Sequence, residues 1–372
     1  MESLHSMSTG SLFQNPSTVD WSQGVALYGA GGAGRRAATA IRSTGAHVYN
    51  FLDQAKAGQT VEGVEVLAPD SPDAAYLKNR PVVISIFNRD VPIRHIAKTL
   101  TLLGYKCLVS YVDLHDYLRG ALAQEFWLTD RSVLSRNAAE IDRFRALLCD
   151  PVSRKVLDDV VAFRKSGTFE REPQPDIFHQ YFPTDLPPWI GDQPLRFVDC
   201  GAFNGDTLQQ LRQLGLAADA IAAFEPDPSN FSVLASSVRS NIETMKDVVL
   251  WPCGVGEQNE ILAFESDGGE GGKFGSGSKL LVPSVTLDDV VFGMRPTHIK
   301  MDVEGAEVSA LRGCRQIIDY FAPHLAISIY HTPEHLWDIP LMLHEWQPRY
   351  SFHLRSHGYQ TFDTILYAIA TE

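Results

Sequence analysis

The chain has 372 residues, 44% of them hydrophobic and 21% charged, a composition ordinary for a globular protein and a length too great for one ordinary core. A formal charge of −13 argues against a nucleic-acid groove, and no apolar run approaches the ~20 residues of a membrane-spanning helix. The five cysteines are scattered and form no CxxC pair, which fits a reducing cytoplasm and speaks against a thiolate zinc site.

The first segment, MESLHSMSTGSLFQNPSTVD, is polar and lacks the basic and apolar regions of a signal peptide; residues 1–20 are expected to form a disordered tail. A strand over 24–28, a glycine turn, a helix over 33–43 and a strand ending VYNFLD come next. A strand over 81–87, a helix over 91–103 and the run KCLVSYV continue the alternation. This rhythm predicts a parallel sheet with crossover helices, a Rossmann-like α/β domain over residues 21–117. Residues 118–180 lose it: IDRFRALL and VLDDVVAF space their apolar residues at helical intervals, which predicts a helical connector. Proline-rich YFPTDLPPWIGDQP ends that connector and opens a second α/β domain over residues 181–372. Its strands read RFVDC, AIAAFE, VVLWPC, HIKMDV, HLAISIY, SFHLR and TILYAIA. A glycine-rich stretch over 266–278 is expected to be a mobile loop over a pocket.

The first glycine turn lies in VALYGAGGAGRRAATAI. Gly29, Gly31 and Gly34 follow the GxGxxG pattern between a strand and a helix, and Asp53 comes 24 residues after Gly29. With Gly32 and Arg35 these residues form a candidate nucleotide site. GAGGAGR, FLD and VEGVEVLAPD resemble the N-terminal domain of bacterial sugar-nucleotide acyltransferases, which implies a sugar nucleotide as the ligand. A scaffold without ligand and an NAD-dependent oxidoreductase using Asp53 are the alternatives. No constellation for hydride transfer stands out. Asn88 and His95 are the nearest polar residues, and a lone histidine at a helix start is usually structural.

The second turn lies in RFVDCGAFNGDTLQQL. Gly201 and Gly205 let the backbone turn tightly and approach a ligand. Glu225, 24 residues after Gly201, ends the next strand, where a carboxylate can accept both hydroxyls of a ribose. Asp199 and Asp206 flank the turn; two carboxylates there repel a pyrophosphate but suit a cationic ligand such as S-adenosylmethionine. Downstream, THIKMDVEGAEVSALRG places Lys300 and Asp302 in an otherwise apolar strand, where ionisable groups need a reason. Glu307 reads as a first-turn helix acid favoured by the macrodipole.

FVDCGAFNGDT, FEPDPSNF, VTLDDV and IKMDVEGAEVSALRG together resemble the FkbM family of S-adenosylmethionine-dependent methyltransferases. YFP before the first strand and ISIYHTPEHLWDIPLML, YSFHLRSH and TILYA after it resemble a bacterial branch of that family. The resemblance implies a class I methyltransferase fold, with a seven-stranded sheet whose last strand is antiparallel. It implies methyl transfer to oxygen on a small molecule, often a sugar or polyketide. Asp199, Gly201 and Gly205 would then line the methionine part, Glu225 would hold the ribose, and Cys253 and Gly254 would approach the adenine. Ala202, Asn204, Asp206, Thr207, Pro226, Asp227 and Asp302 complete the expected cofactor set. Sugar, glycan or glycosylated metabolite is the acceptor class expected; no oligomeric state is legible.

A sugar hydroxyl is a weak acid, so a group must take its proton as the new bond forms. Asp302, Glu304 and His331 are the candidates, with His353 on a later strand. His331 directly follows the apolar AISIY, where a site residue of a parallel sheet emerges, and neutral imidazole can accept a proton near neutral pH with Asp302 orienting it. A capping or hydrogen-bonded structural histidine is the alternative, and His335, His344 and His357 are read that way. Asp302, Glu304 and His331 can instead ligate a divalent ion that acidifies the hydroxyl, but a metal-free site is the one expected.

Overall fold

The computed structural model describes residues 12–186, 195–240, 246–265, 272–274 and 280–371. Its contacts divide the chain into two units. One holds residues up to Arg136 together with Asp159–Pro173 and Tyr359–Phe362; the other holds Asn137–Asp158, Gln174–Gly358 and the residues from Asp363 onward.

In the first unit, short apolar runs become parallel strands, as expected for strands covered on both faces. β1 (Val25–Tyr28), β2 (Val48–Leu52), β3 (Thr60–Val61), β4 (Val64–Leu67), β5 (Pro81–Ile84) and β6 (Cys107–Ser110) form a sheet in the order β3-β4-β2-β1-β5-β6. Only the β3–β4 pair is antiparallel. The helix Gly32–Ser43 turns Ala37, Ala38 and Ile41 into the same core as Leu27, Phe51 and Val83. β2 and β5 lie on opposite sides of β1, so the strand order reverses beside the first glycine turn.

Two expectations about chain organisation are corrected. Residues 1–11 of the expected disordered tail lie outside the described residues, but from Leu12 onward the segment is ordered. Leu12, Phe13 and Val19 pack against the first core, and the Gln14 N–H donates to the Leu108 carbonyl at 2.8 Å. The expected connector over 118–180 is helical but is not a separate piece, because amphipathic helices bury their apolar faces wherever a core offers itself. Phe163 and Phe169 join the first core. Cys149 donates its N–H to Phe352 in the second unit at 3.0 Å.

The second unit is built on β7 (Leu195–Cys200), β8 (Ala218–Phe224) and β9 (Val248–Trp251). A small four-stranded sheet follows, made of β10 (Gly254–Val255), β11 (Glu260–Glu265), β12 (Lys273–Phe274) and β13 (Leu280–Val285). The main sheet resumes with β14 (His298–Met301), β15 (His324–Ser328), β16 (Tyr350–Ser356) and β17 (Thr364–Ala370). Its seven strands run in the order β16-β17-β15-β14-β7-β8-β9, and β17, last in the chain, is antiparallel to both neighbours. This is the seven-stranded sheet with an antiparallel last strand that the resemblance implies. The small sheet was not foreseen. Most of the glycine-rich stretch over 266–278 lies outside the described residues; among those described, Lys273–Phe274 forms a strand paired with Phe264 and Glu265.

Candidate active site

The carboxyl ends of β7, β8 and β14 and the segment just past β15 carry the site. β7 is followed by Gly201, whose φ is +78° and whose missing Cβ would stand 1.9 Å from the Asp302 carbonyl oxygen. Glycine is required there twice over, by the left-handed backbone and by the close approach of two strand ends. Gly205, at φ +88°, starts the helix Asp206–Gln213. Ala202 and Gly201 donate their N–H groups to the Phe224 carbonyl at 2.9 and 3.0 Å.

Glu225 at the end of β8 is 6% exposed. Its two oxygens accept the N–H groups of Phe203 and Asp227, each at 2.8 Å. Burial, opposed by those two bonds, pushes its carboxyl up to about 7. Each carboxylate oxygen can accept a second hydrogen bond, so the residue braces the turn without exhausting its capacity. Asp206 is exposed, and Asn204 Oδ1 accepts its N–H at 3.2 Å; Thr207, Cys253 and Gly254 are buried.

Two members of the expected cofactor set are otherwise engaged. Asp199 is fully buried and paired with Lys300 Nζ at 3.0 Å, and Lys300 also donates to the Gly201 carbonyl. The pair answers why ionisable groups sit in these apolar strands. It also takes up the charge that Asp199 was expected to offer a cationic ligand. Burial works against the Lys300 charge, but Asp199 and Asp302 outweigh it and hold the amine protonated. Asp227 Oδ1 accepts the N–H groups of Ser229 and Asn230 at 2.8 and 3.1 Å, so this residue caps the helix Pro228–Ser240.

Asp302, Glu304 and His331 do come together: one ligand atom from each lies within 4.8 Å of the others. His331 Nε2 is 3.4 Å from Asp302 Oδ1 and 3.7 Å from Glu304 Oε1, and Nδ1 is 2.8 Å from Glu307 Oε1. Tyr181 donates its hydroxyl to Asp302 Oδ2 at 2.6 Å. Glu307 is fully buried; it also accepts the Val303 N–H at 2.9 Å and pairs with His335 Nδ1 at 3.1 Å. Burial would lower the His331 pKa, but Glu307 and Glu304 outweigh it and hold the imidazole protonated far above its ordinary range. Burial raises the Glu304 carboxyl against the pull of His331, whereas in Asp302 burial is outweighed by His331, Lys300 and the Tyr181 hydroxyl, which lower it.

Sequence reasoning missed Glu307 and Tyr181. Three acids at 302, 304 and 307, matched by histidines four apart at 331 and 335, were the available signal for Glu307. His353 stands outside this cluster: its Nδ1 lies 2.7 Å from Asp150 Oδ2. His357 is held by the Asp176 carbonyl and the Tyr367 hydroxyl. Both are structural in this geometry.

At the first turn, Gly29 has φ +102°, and a Cβ on Gly34 would stand 2.1 Å from the Gly29 oxygen. Gly31 has nothing within 4 Å and Gly32 meets only Arg36; Arg35 is exposed. Asp53 is occupied with backbone: Oδ2 accepts the Ala30 N–H at 3.1 Å, and Oδ1 accepts those of Ala55 and Lys56 at 3.0 and 3.2 Å. Asn88 closes its own loop by accepting two N–H groups, and His95 is exposed.

Residues 199–361 match the methyltransferase FkbM domain. The crystal structure of a methyltransferase FkbM from Methylobacillus flagellatus is similar over 94% of this chain and 90% of that one, with a TM-score of 0.75 at 22% identity. At that identity the likeness is one of fold. An rRNA methylase from Streptococcus thermophilus matches 49% of this chain and 89% of its own at 14% identity, with a TM-score of 0.33, too low to carry an argument. None of the curated proteins matches the chain. Among the described residues no helix is long and apolar enough to cross a membrane.

Proposed function

From the methyltransferase FkbM domain that residues 199–361 form, we propose that the chain transfers the methyl group of S-adenosylmethionine to a hydroxyl of a sugar, a glycan or a glycosylated metabolite. The observation that carries the reading is Glu225, buried at the end of β8, bracing the Gly201 turn with one acceptor direction on each oxygen and keeping a second on each for the ribose hydroxyls. Asp206, exposed at the start of its helix, supplies negative charge for the cationic methionine end. When bound, the cofactor supplies a methyl group on a sulfonium, whose in-line transfer relieves positive charge.

The chain's own part is to align the acceptor, exclude water and receive a proton. Asp302, Glu304 and His331 stand at the ends of β14, which adjoins β7 on the side away from Glu225, and of β15 beyond it. The groups placed to receive the hydroxyl proton are His331 and the carboxylates of Asp302 and Glu304 around it.

The first glycine turn is read as a second site for a nucleotide or sugar nucleotide, favoured by the open space at Gly31. An NAD-dependent oxidoreductase using Asp53 is the alternative reading of that turn, where the Asp53 carboxylate accepts the N–H groups of Ala30, Ala55 and Lys56. A cytoplasmic location is supported by five free cysteines.

Thermal shifts with S-adenosylmethionine, S-adenosylhomocysteine, NAD and sugar nucleotides test these assignments. A ligand at 100 times its dissociation constant stabilises the fold by about 2.7 kcal/mol. Stabilisation by the first two compounds is the expected result. Stabilisation by NAD alone overturns the reading.

A further inference from the structure

The three carboxylates around His331 leave a concentration of negative charge. Lys300 meets it only in part: its amine is paired with Asp199 and the Gly201 carbonyl and acts on Asp302 alone of the three. His331 Nε2 lies 3.4 Å from Asp302 Oδ1 and 3.7 Å from Glu304 Oε1, too long for good hydrogen bonds. Ligand atoms about 2.0–2.2 Å from one ion lie roughly 3–3.6 Å apart, and these separations are close to that range.

The outer contacts point the same way. A histidine that binds a metal through one nitrogen usually has its other N–H held by a carboxylate, which sets the ring's orientation. Here the fully buried Glu307 stands 2.8 Å from His331 Nδ1 and turns Nε2 toward Asp302 and Glu304. Tyr181 does the equivalent for Asp302: its hydroxyl engages Oδ2 at 2.6 Å and leaves Oδ1 facing the imidazole. Glu304 is presented from a left-handed backbone, φ +52°, on the short loop between β14 and the helix Glu307–Arg312. Two of the three inward-facing groups are thus aimed by partners on other elements, and the imidazole is 5% exposed.

We propose that Asp302, Glu304 and His331 form a binding site for one divalent cation, with Glu307 and Tyr181 as positioning residues. One imidazole and two carboxylates suit a borderline or hard ion such as Mn²⁺, and three protein ligands leave coordination positions open for an acceptor hydroxyl. Bound there, the ion takes the place of the proton on Nε2 and lowers the pKa of a coordinated hydroxyl as a Lewis acid. That use rests on the methyltransferase reading above; the binding geometry does not.

The test is a titration of the full chain, stripped with EDTA and dialysed, with Mn²⁺, following free ion by electron paramagnetic resonance. One equivalent is expected to bind. Glu304→Gln and His331→Ala should each abolish that equivalent. Glu307→Gln, which touches no ion, should weaken it ~10–100-fold. Glu304 is the least buried of the three, with a side chain 19% exposed, so its variant keeps the fold, which a retained S-adenosylmethionine thermal shift checks. Absence of binding by the parent chain, or binding undiminished in Glu304→Gln and His331→Ala, overturns the site. Mn²⁺ binding without any S-adenosylmethionine shift leaves the site standing and removes the methyltransferase reading instead.

Discussion

The two glycine turns are built alike and differ in what surrounds them. Each joins a strand to a helix, and each has a carboxylate 24 residues after its first glycine, Asp53 in one and Glu225 in the other. In both cases that carboxylate accepts a backbone N–H of the turn, from Ala30 in the first and Phe203 in the second. An acid at this spacing therefore serves the turn before it serves any ligand. The difference lies at the neighbouring strand ends. Beside the first turn, β5 leads into Ser85, whose hydroxyl donates to the Tyr28 and Gly29 carbonyls. Beside the second stand the Asp199–Lys300 pair and the Asp302, Glu304, Glu307 and His331 cluster. A turn of this kind marks where a ligand can sit; buried charge at the adjoining strands makes the second turn the candidate for chemistry.

The sharpest way to break this contrast is to unpair the buried charge. Lys300→Met leaves Asp199 alone at zero exposure and should cost ~3–5 kcal/mol in urea denaturation. Adding Asp199→Leu should recover most of that loss. A single variant of parental stability contradicts the pairing. The glycines give a matched comparison. Gly201→Ala meets the Asp302 oxygen and a left-handed backbone, and a loss of ~3 kcal/mol or more is expected. Gly31→Ala meets nothing and should stay within ~0.5 kcal/mol of the parent.

Ligand binding sharpens the comparison further. Glu225→Ala should weaken S-adenosylmethionine by ~1.5–3 kcal/mol, read by calorimetry. Gly31→Asp should abolish any sugar-nucleotide binding and spare S-adenosylmethionine. On the proposed role of Glu225, ribose hydroxyls would bond best to its ionised form, and its carboxyl is raised to about 7 in the free protein. Affinity should therefore be full above that pH and fall ~tenfold per unit below it, a dependence absent from Glu225→Gln.

A modest effect is expected at His353. Its partner Asp150 is lowered to about 2: burial raises it, but bonds from Ser153, His353 and Arg355 outweigh that. A carboxyl depressed on folding stabilises above its unfolded pKa of ~3.8 and loses that contribution as pH falls toward 2. His353→Ala should cost about 1 kcal/mol at neutral pH, less in acid, with S-adenosylmethionine affinity unchanged. A loss of cofactor binding contradicts its structural role.

The sequence by itself determined both sheets, because short apolar runs between glycine turns and amphipathic helices leave a parallel arrangement as the way to bury them. It also determined the second turn, since Gly201 answers a local demand of the backbone, and it brought Asp302, Glu304 and His331 to adjoining strand ends through the expected strand order. Tertiary structure alone decided the rest. The hairpin Thr60–Val61 with Val64–Leu67 and the small sheet around Glu260–Glu265 are too short to announce themselves by periodicity. Residues 118–180 are amphipathic, and nothing local in them says which core each apolar face will join. Glu307 reads as an ordinary first-turn acid until the fold brings His331 and His335 against it. The same fold gives Asp199 to Lys300 and leaves His331 protonated between carboxylates, because pairing partners and the charge state of a buried group depend on neighbours distant in the chain.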